Sequence, residues 1–292
     1  MRFINQYCST AYFTKIVLSL LLICGLAACS DDNKEEAEGE NFPKTSFSKI
    51  ELSEVFSGPG DPPVYITYTY AYKAGRIASY TTKQTLFVVE PIEMQTTNKV
   101  TYSNRQAAVT DDFGNTSTYT LDDKGYAISC IRNEAGGNTR TYTFSYLTNT
   151  EDKYYLENIT EMLDDGKVYA SIDIDYSNYR ALRITMHVDT YDQTYIATTP
   201  ANDEIENISE IPCLFLAELY PLSMHSAALY GKLLGEPFKA LITQIIPDGD
   251  SESNDTRTYA YELDTRGIVT SCKETTSDKY GDFKRTINYV IE

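Results

Sequence analysis

The side chains able to do chemistry in this chain are few. His187 and His225 are its only histidines. Cys213 lies close to His225 in sequence, and a thiol nucleophile needs an imidazole beside it in space to take its proton. The plainer reading is preferred: Cys213 is a small core residue, and His225 caps or packs the first turn of a helix. Asp164-Asp165 and Asp173 with Asp175 are carboxylate pairs of the kind that cleave glycosidic bonds. In a chain with 42 acidic residues, close carboxylates are expected by chance, and Asp164-Asp165-Gly166-Lys167 reads better as a hairpin turn. The sequence carries no H-E-x-x-H, G-x-S-x-G, P-loop or G-x-G-x-x-G, the patterns that place a catalytic zinc, a serine nucleophile or a nucleotide phosphate. It has no C-x-x-C and no D-x-[DN]-x-[DN]-G loop for zinc, redox or calcium chemistry. No catalytic residue, metal ligand or cofactor is assigned, and the chain reads as a non-enzyme.

The elements that would carry these residues are mostly short strands. Val64-Tyr65-Ile66-Thr67-Tyr68-Thr69-Tyr70-Ala71-Tyr72 alternates Tyr with smaller residues, and Ser171-Ile172-Asp173-Ile174-Asp175-Tyr176 puts Ile and Tyr on one face and Asp on the other. Such alternation marks an antiparallel strand with one wet face. The 25 tyrosines and the absence of Trp suit half-buried pleated sheet.

One hairpin module repeats. Leu121-Asp122-Asp123-Lys124-Gly125-Tyr126-Ala127-Ile128-Ser129-Cys130 matches Leu263-Asp264-Thr265-Arg266-Gly267-Ile268-Val269-Thr270-Ser271-Cys272, with a looser copy at Tyr72-Lys73-Ala74-Gly75-Arg76-Ile77-Ala78-Ser79-Tyr80. Asp opens a type I turn and Gly supplies its left-handed position. Period-two alternation then places Ile77 with Ser79, Ala127 with Ser129 and Val269 with Ser271 on shared faces. Cys130 and Cys272 fall at the same place in their modules. If the two hairpins were neighbours, a disulfide would pin the start of the sheet to its end; two buried thiols in like surroundings is the preferred reading.

Residues 204–236 break the strand pattern. Ile205, Ile208, Ile211, Leu214, Phe215, Leu216 and Leu219 recur at helical spacing, and Pro221 interrupts them. Ser223 is placed to cap a second helix over Met224–Leu234 with Gly235 beyond its end. Ala227, Gly231 and Gly235 put small residues along one side, which lets the backbone approach a neighbour closely. Strands resume after Pro237 with Leu241–Ile246.

The chain opens with Arg2 and Lys15, an apolar run Ile16–Ile23, and Leu26-Ala27-Ala28-Cys29. A basic start, a short apolar core and small residues before a cut describe a signal peptide over 1–28, and the run falls short of the roughly 20 residues of a spanning helix. Leu-Ala-Ala-Cys resembles the lipobox of bacterial lipoproteins. That resemblance implies cleavage before Cys29 and acylation of Cys29, with several acyl chains holding the protein to a membrane at about 0.8 kcal/mol per buried CH₂. Cys8 and Cys24 leave with the leader, so Cys130, Cys213 and Cys272 remain. The acidic stretch Ser30–Glu40 reads as a solvated tether within a linker over 29–45. It also resembles the acidic export signal of surface-displayed lipoproteins, which implies the cell surface; the periplasmic face is the alternative.

The leader, the hairpins and the segment from Ile211-Pro212-Cys213-Leu214-Phe215-Leu216 to Leu233-Leu234-Gly235 are similar to the lipoprotein family catalogued as domain of unknown function 4595, with porin-like fold. The hairpins also resemble YD-type repeats. The family resemblance implies a mainly β domain over 46–292: a strongly curved antiparallel meander, a partial barrel, with the helical segment 204–236 packed on or inside it. It brings no catalytic residues.

A net charge of −17 repels nucleic-acid phosphates and anionic lipid heads. No nucleic-acid partner is therefore expected, and membrane contact falls to the lipid on Cys29. The expected function is a non-enzymatic binding or scaffold module that holds a glycan, peptide or protein on the concave, Tyr-rich face of the sheet. The alternatives are a hydrolase with paired carboxylates in that concavity, and a purely structural envelope protein.

Overall fold

A computed structural model describes residues 43–57, 63–87, 90–149, 151–177, 180–199, 205–249, 255–278 and 281–292. The leader 1–28, Cys29 and all but the end of the linker 29–45 lie outside the described residues.

Sixteen strands close into one antiparallel barrel. They are β1 (Lys49–Ser57), β2 (Val64–Lys73), β3 (Arg76–Phe87), β4 (Pro91–Ser103), β5 (Gln106–Asp111), β6 (Thr116–Leu121), β7 (Ala127–Asn133) and β8 (Thr139–Thr148). The second half has β9 (Tyr154–Met162), β10 (Val168–Ser177), β11 (Arg180–Val188), β12 (Tyr191–Thr198), β13 (Gln244–Asp248), β14 (Thr256–Leu263), β15 (Val269–Asp278) and β16 (Gly281–Ile291). Each strand pairs with the next, and β1 closes the ring on β16 from Ile50↔Ile291 to Ser57↔Lys284. The expected partial barrel is thus a closed one. Closure satisfies the edges that an open meander would leave unpaired.

The alternation read in the strands sets inside from outside. Ile172, Ile174 and Tyr176 face the lumen while Asp173 and Asp175 face out. The outer face mixes exposed apolar side chains such as Ile131, Ile246 and Val290 with polar cross-strand pairs: Thr185 with Thr194 (3.2 Å), Lys83 with Glu93 (3.0 Å), Lys273 with Glu262 (3.0 Å). Such pairs are the sheet's counterpart of helix i,i+4 contacts.

The hairpin modules fold as the sequence predicts at their turns. Asp122 Oδ1 accepts from the Lys124 and Tyr126 amides, both at 2.9 Å. Asp264 Oδ1 accepts from Arg266 (2.8 Å) and Ile268 (3.0 Å). Gly125 and Gly267 take φ of +86° and +83°. The looser copy differs: Ala74 and Gly75 both have positive φ, a two-residue turn joining Lys73 to Arg76. The expected shared faces do not form. A bulge sits between Ala71 and Tyr72, between Thr120 and Leu121, and between Glu262 and Leu263. The bulge inserts one residue and flips the parity. Ile77, Ala127 and Val269 therefore point inward with Tyr80, Cys130 and Cys272, whereas Ser79 and Ser129 pair with outward positions.

A sixteen-stranded ring encloses more space than wall side chains can fill. The chain fills it with residues 205–243 of the insert between β12 and β13. This insert leaves and returns at the rim where Thr45 and Ser48 lie, here the near rim: Thr45 N donates to Gly75 O (2.9 Å), Ser48 N to Glu292 O (2.6 Å), and Thr243 N to Thr198 O (3.1 Å). Asn207 ties its two legs, its Nδ2 donating to Ile211 O (2.9 Å) and Phe238 O (3.0 Å). Inside run α1 (Leu214–Glu218), a cis Tyr220-Pro221 bond, a 3-10 turn (Leu222–His225) and α2 (Ser226–Tyr230). The helical pieces are shorter than the spacing predicts, and Ser223 caps nothing: it lies inside the 3-10 turn. Contacts with the surrounding wall override the helical period. Leu222, Ala228 and Leu233 are fully buried, each worth about 1–3 kcal/mol by area. The small residues do serve close approach. A Cβ on Gly231 would stand 2.5 Å from Ile77 Cγ2, and one on Gly235 2.9 Å from Tyr154 O. The strand expected over Leu241–Ile246 begins only at Gln244.

Candidate functional site

The insert's tip, Glu218 to Ser223, reaches toward the opposite, far rim, where charged wall residues meet it. These residues occupy lumen-facing positions late in the outbound strands and early in the returning ones: Glu54 follows Leu52, Glu161 follows Ile159, Arg257 precedes Tyr259, and Arg285 precedes Ile287. A charge on the apolar face of an alternating strand is the signal in the sequence that marks them.

Two networks result. Arg257 Nη1 contacts Glu218 Oε2 (2.7 Å) and Glu274 Oε1 (3.3 Å). Arg285 contacts Glu218, Glu274 (2.8 Å) and, more loosely, Glu54 (3.9 Å). Burial pushes the Glu54 carboxyl up to about 7; the Glu218 and Glu274 charges add to this and Arg285 opposes it. Burial pushes Glu274 up as well, with Glu218 adding. Against its own burial, Glu218 is held below the usual carboxylate range by Arg285 and Arg257. In the second network the fully buried Glu161 accepts from Arg140 (2.6 Å) and from the Tyr220 hydroxyl, which itself accepts from Arg140 (2.6 Å).

Beside the tip, a recess of about 60 Å³ opens between the 3-10 turn and the wall of β3 to β7. Tyr80, Asn98, Asp111, Ser117 and Arg132 line it from the wall, and Ser223 and Met224 from the insert. The turn from Asp111 to Asn115 forms its lip. Asp111 Oδ1 accepts from the Phe113 and Asn115 amides, both at 2.9 Å, and Asn115 Nδ2 donates to Asp111 Oδ2 (2.7 Å). Phe113, on that turn, is 60% exposed, the most exposed aromatic side chain among the described residues.

The residues singled out from sequence are not brought together. His225 Nδ1 is bonded to the Tyr119 hydroxyl (2.7 Å), and its ring stands edge-on to Tyr142 at 4.4 Å. Burial, then Arg132, pushes its pKa down to about 3. Cys213 instead shares a recess with Leu156, Tyr176 and Phe238, and burial pushes its thiol up to about 11. A thiolate–imidazolium pair requires the opposite of both shifts. His187 is on the outer face, bonded to Asp192 (2.7 Å), with Asp173 3.6 Å away. Asp173 and Asp175 thus face solvent, not a cleft, and Asp164-Asp165 sits in the exposed turn after β9. The candidate disulfide does not form. Cys130 and Cys272 are free on β7 and β15, which are not neighbours in the ring, and burial pushes both thiols up to about 12. The Tyr-rich face is not open to a ligand either. Tyr70 is bonded to Ser226 (2.8 Å) and stacked on Tyr230, and Tyr72 donates to Tyr230 O (3.0 Å).

Residues 70–271 match the family described as a domain of unknown function (DUF4595) with porin-like fold. The chain belongs to that family. Its fold is also that of a porin-like protein from Bacteroides uniformis ATCC 8492, 55% identical over 87% of this chain and 100% of that one, with a TM-score of 0.80. A porin-like protein from Bacteroides vulgatus ATCC 8482, 12% identical over 84% of this chain and 98% of that one, shares the fold at a TM-score of 0.52. No curated protein matches. No enzymatic family is indicated, and the barrel is compatible with a place in the cell envelope.

Proposed function

We propose that this member of the family is a lipid-tethered, water-soluble binding module of the outer membrane, displayed on the cell surface and engaging its partner at the far rim. The observation that carries this reading is the filled lumen. The tip of the insert is pinned to Arg257, Arg285, Glu161 and Arg140, so the insert occupies the lumen that an open channel would need. A membrane-spanning barrel also needs an outward apolar band, and the exposed apolar side chains of the outer wall, Ile131, Ile246 and Val290 among them, are interspersed with Thr, Lys, Glu and Asp. The tether on Cys29 would join at the near rim, which leaves the polar recess on the side facing away from the membrane.

Limited trypsin treatment of outer-membrane vesicles tests the reading. Cleavage at Lys34 or Lys44 is expected to release a folded barrel into the supernatant. A cleaved barrel that stays with carbonate-washed membranes overturns the proposal in favour of an inserted barrel.

One observation favours the hydrolase alternative. Arg285 contacts both the Glu54 and the Glu218 carboxylates, with Glu54 pushed up by burial and Glu218 held down by Arg285 and Arg257, as an acid and its partner carboxylate would be. Release of reducing ends from oligosaccharides by the wild type and not by Glu54→Gln would support it.

A further inference from the structure

We propose that the recess beside the 3-10 turn is a subsite for the hydroxyl edge of a neutral sugar residue, with the sugar's ring face resting on Phe113. This rests on the binding-module reading and narrows its ligand.

Size comes first. About 60 Å³ admits a few hydroxyl-sized groups, not a whole ligand of the kind that fills a pocket of several hundred Å³. Only the edge of a larger molecule fits. Charge comes second. Arg132 Nη1 donates to Ser117 Oγ (3.1 Å), with Glu134 3.7 Å from its Nε, and Asp111 accepts within its own turn. The two charged side chains of the lining, Asp111 and Arg132, cancel in net charge, and a surface with net charge −17 repels anions. What it offers is the Asn98 amide and the Ser223 hydroxyl, each able to donate and accept, as vicinal hydroxyls require. The third point is the aromatic lip. Phe113 is 60% exposed on a turn closed by the Asp111 and Asn115 bonds, which set the backbone that carries the ring before a ligand arrives. An exposed aromatic ring on the turn that borders a polar notch through Asp111 and Asn115 matches a sugar, which has an apolar ring face and a polar edge. Peptide capture by strand addition finds no foothold, because the described strands close into a ring with no free edge.

Saturation-transfer NMR on the full chain in detergent tests this. The probes are the methyl glycosides of glucose, galactose, mannose, xylose, fucose and N-acetylglucosamine, followed by neutral, sialylated and sulfated oligosaccharides. At least one neutral probe is expected to bind. Phe113→Ala and Asn98→Ala should each weaken it tenfold or more, while Tyr65→Ala at the same rim leaves it unchanged. Phe113 is exposed, so its variant should melt as the wild type does, and loss of binding then reports the platform. Binding by sialylated or sulfated probes alone overturns the neutral class. Binding indifferent to both variants overturns the site, and no retained sugar overturns the proposal outright. Trypsin release from vesicles of the same preparation separates the failures: a barrel that releases but binds no sugar loses this inference and keeps the tethered-module reading.

Discussion

His225 and Glu54 are titratable groups sealed in one barrel with opposite signs. For His225 the folded pKa of about 3 lies below the ordinary 6.5 of the unfolded chain. The unfolded state binds the extra proton, so His225 removes stability as pH falls from about 6.5 toward 3, at roughly 1.4 kcal/mol per unit. For Glu54 the folded pKa of about 7 lies above the unfolded 4.5. Its folded form holds a proton through that window, so its contribution is lost as pH rises from 4.5 to 7, with a cost above pH 7 on the order of 3 kcal/mol. Urea midpoints at pH 4, 5, 6, 7 and 8 should show His225→Gln gaining on the wild type as the solution is acidified. Glu54→Gln should gain toward pH 8 and not at pH 4. Profiles parallel to the wild type would show that neither group is buried as described. Of these two residues, His225 was visible in the sequence because histidines are rare here. Glu54 was not, because nothing local distinguishes one Glu among so many until the parity of β1 is known.

At the scale of elements, strand alternation and Asp-x-x-Gly turns were legible because they are local: a residue's face and a turn's φ depend on its near neighbours. The bulges were not. Each depends on the register between two strands, and it moved Ser79 and Ser129 to the face opposite Ile77 and Ala127. The insert was half legible. Its apolar character and small residues were plain, but its helices shortened because the surrounding wall, not the helical period, decides what Leu222 and Leu233 touch. Gly231 shows how tight that fit is. Its φ of −84° is ordinary, so only space argues for glycine, and Gly231→Ala must move Ile77 or the insert. A loss of about 1–3 kcal/mol is expected, as for an overpacked core. Gly136, in the turn after β7, has nothing within 4 Å of a Cβ, and Gly136→Ala should change the melting temperature little. Equal effects of the two substitutions would mean that the insert is loosely seated.

For the whole molecule, the described chain begins at Pro43 on the near rim, where Ser48 meets Glu292, so a lipid on Cys29 would tether the barrel through that rim. The chain from 29 to 43, fully extended, spans at most about 50 Å, enough to lift the barrel off the membrane. The acidic linker and the net charge of −17 favour distance from anionic lipid heads. The far rim, with Phe113 and the polar recess, should therefore face away from whichever leaflet holds the lipid. Protease shaving of intact cells, with a periplasmic protein as control, decides which side that is. Loss of the barrel while the control survives is expected, and it puts the recess in the medium, in reach of extracellular glycans. Survival until the cells are opened would turn the same rim into the periplasm. The surface-display reading would then fail, and the recess would be screened against envelope polysaccharides and envelope proteins instead.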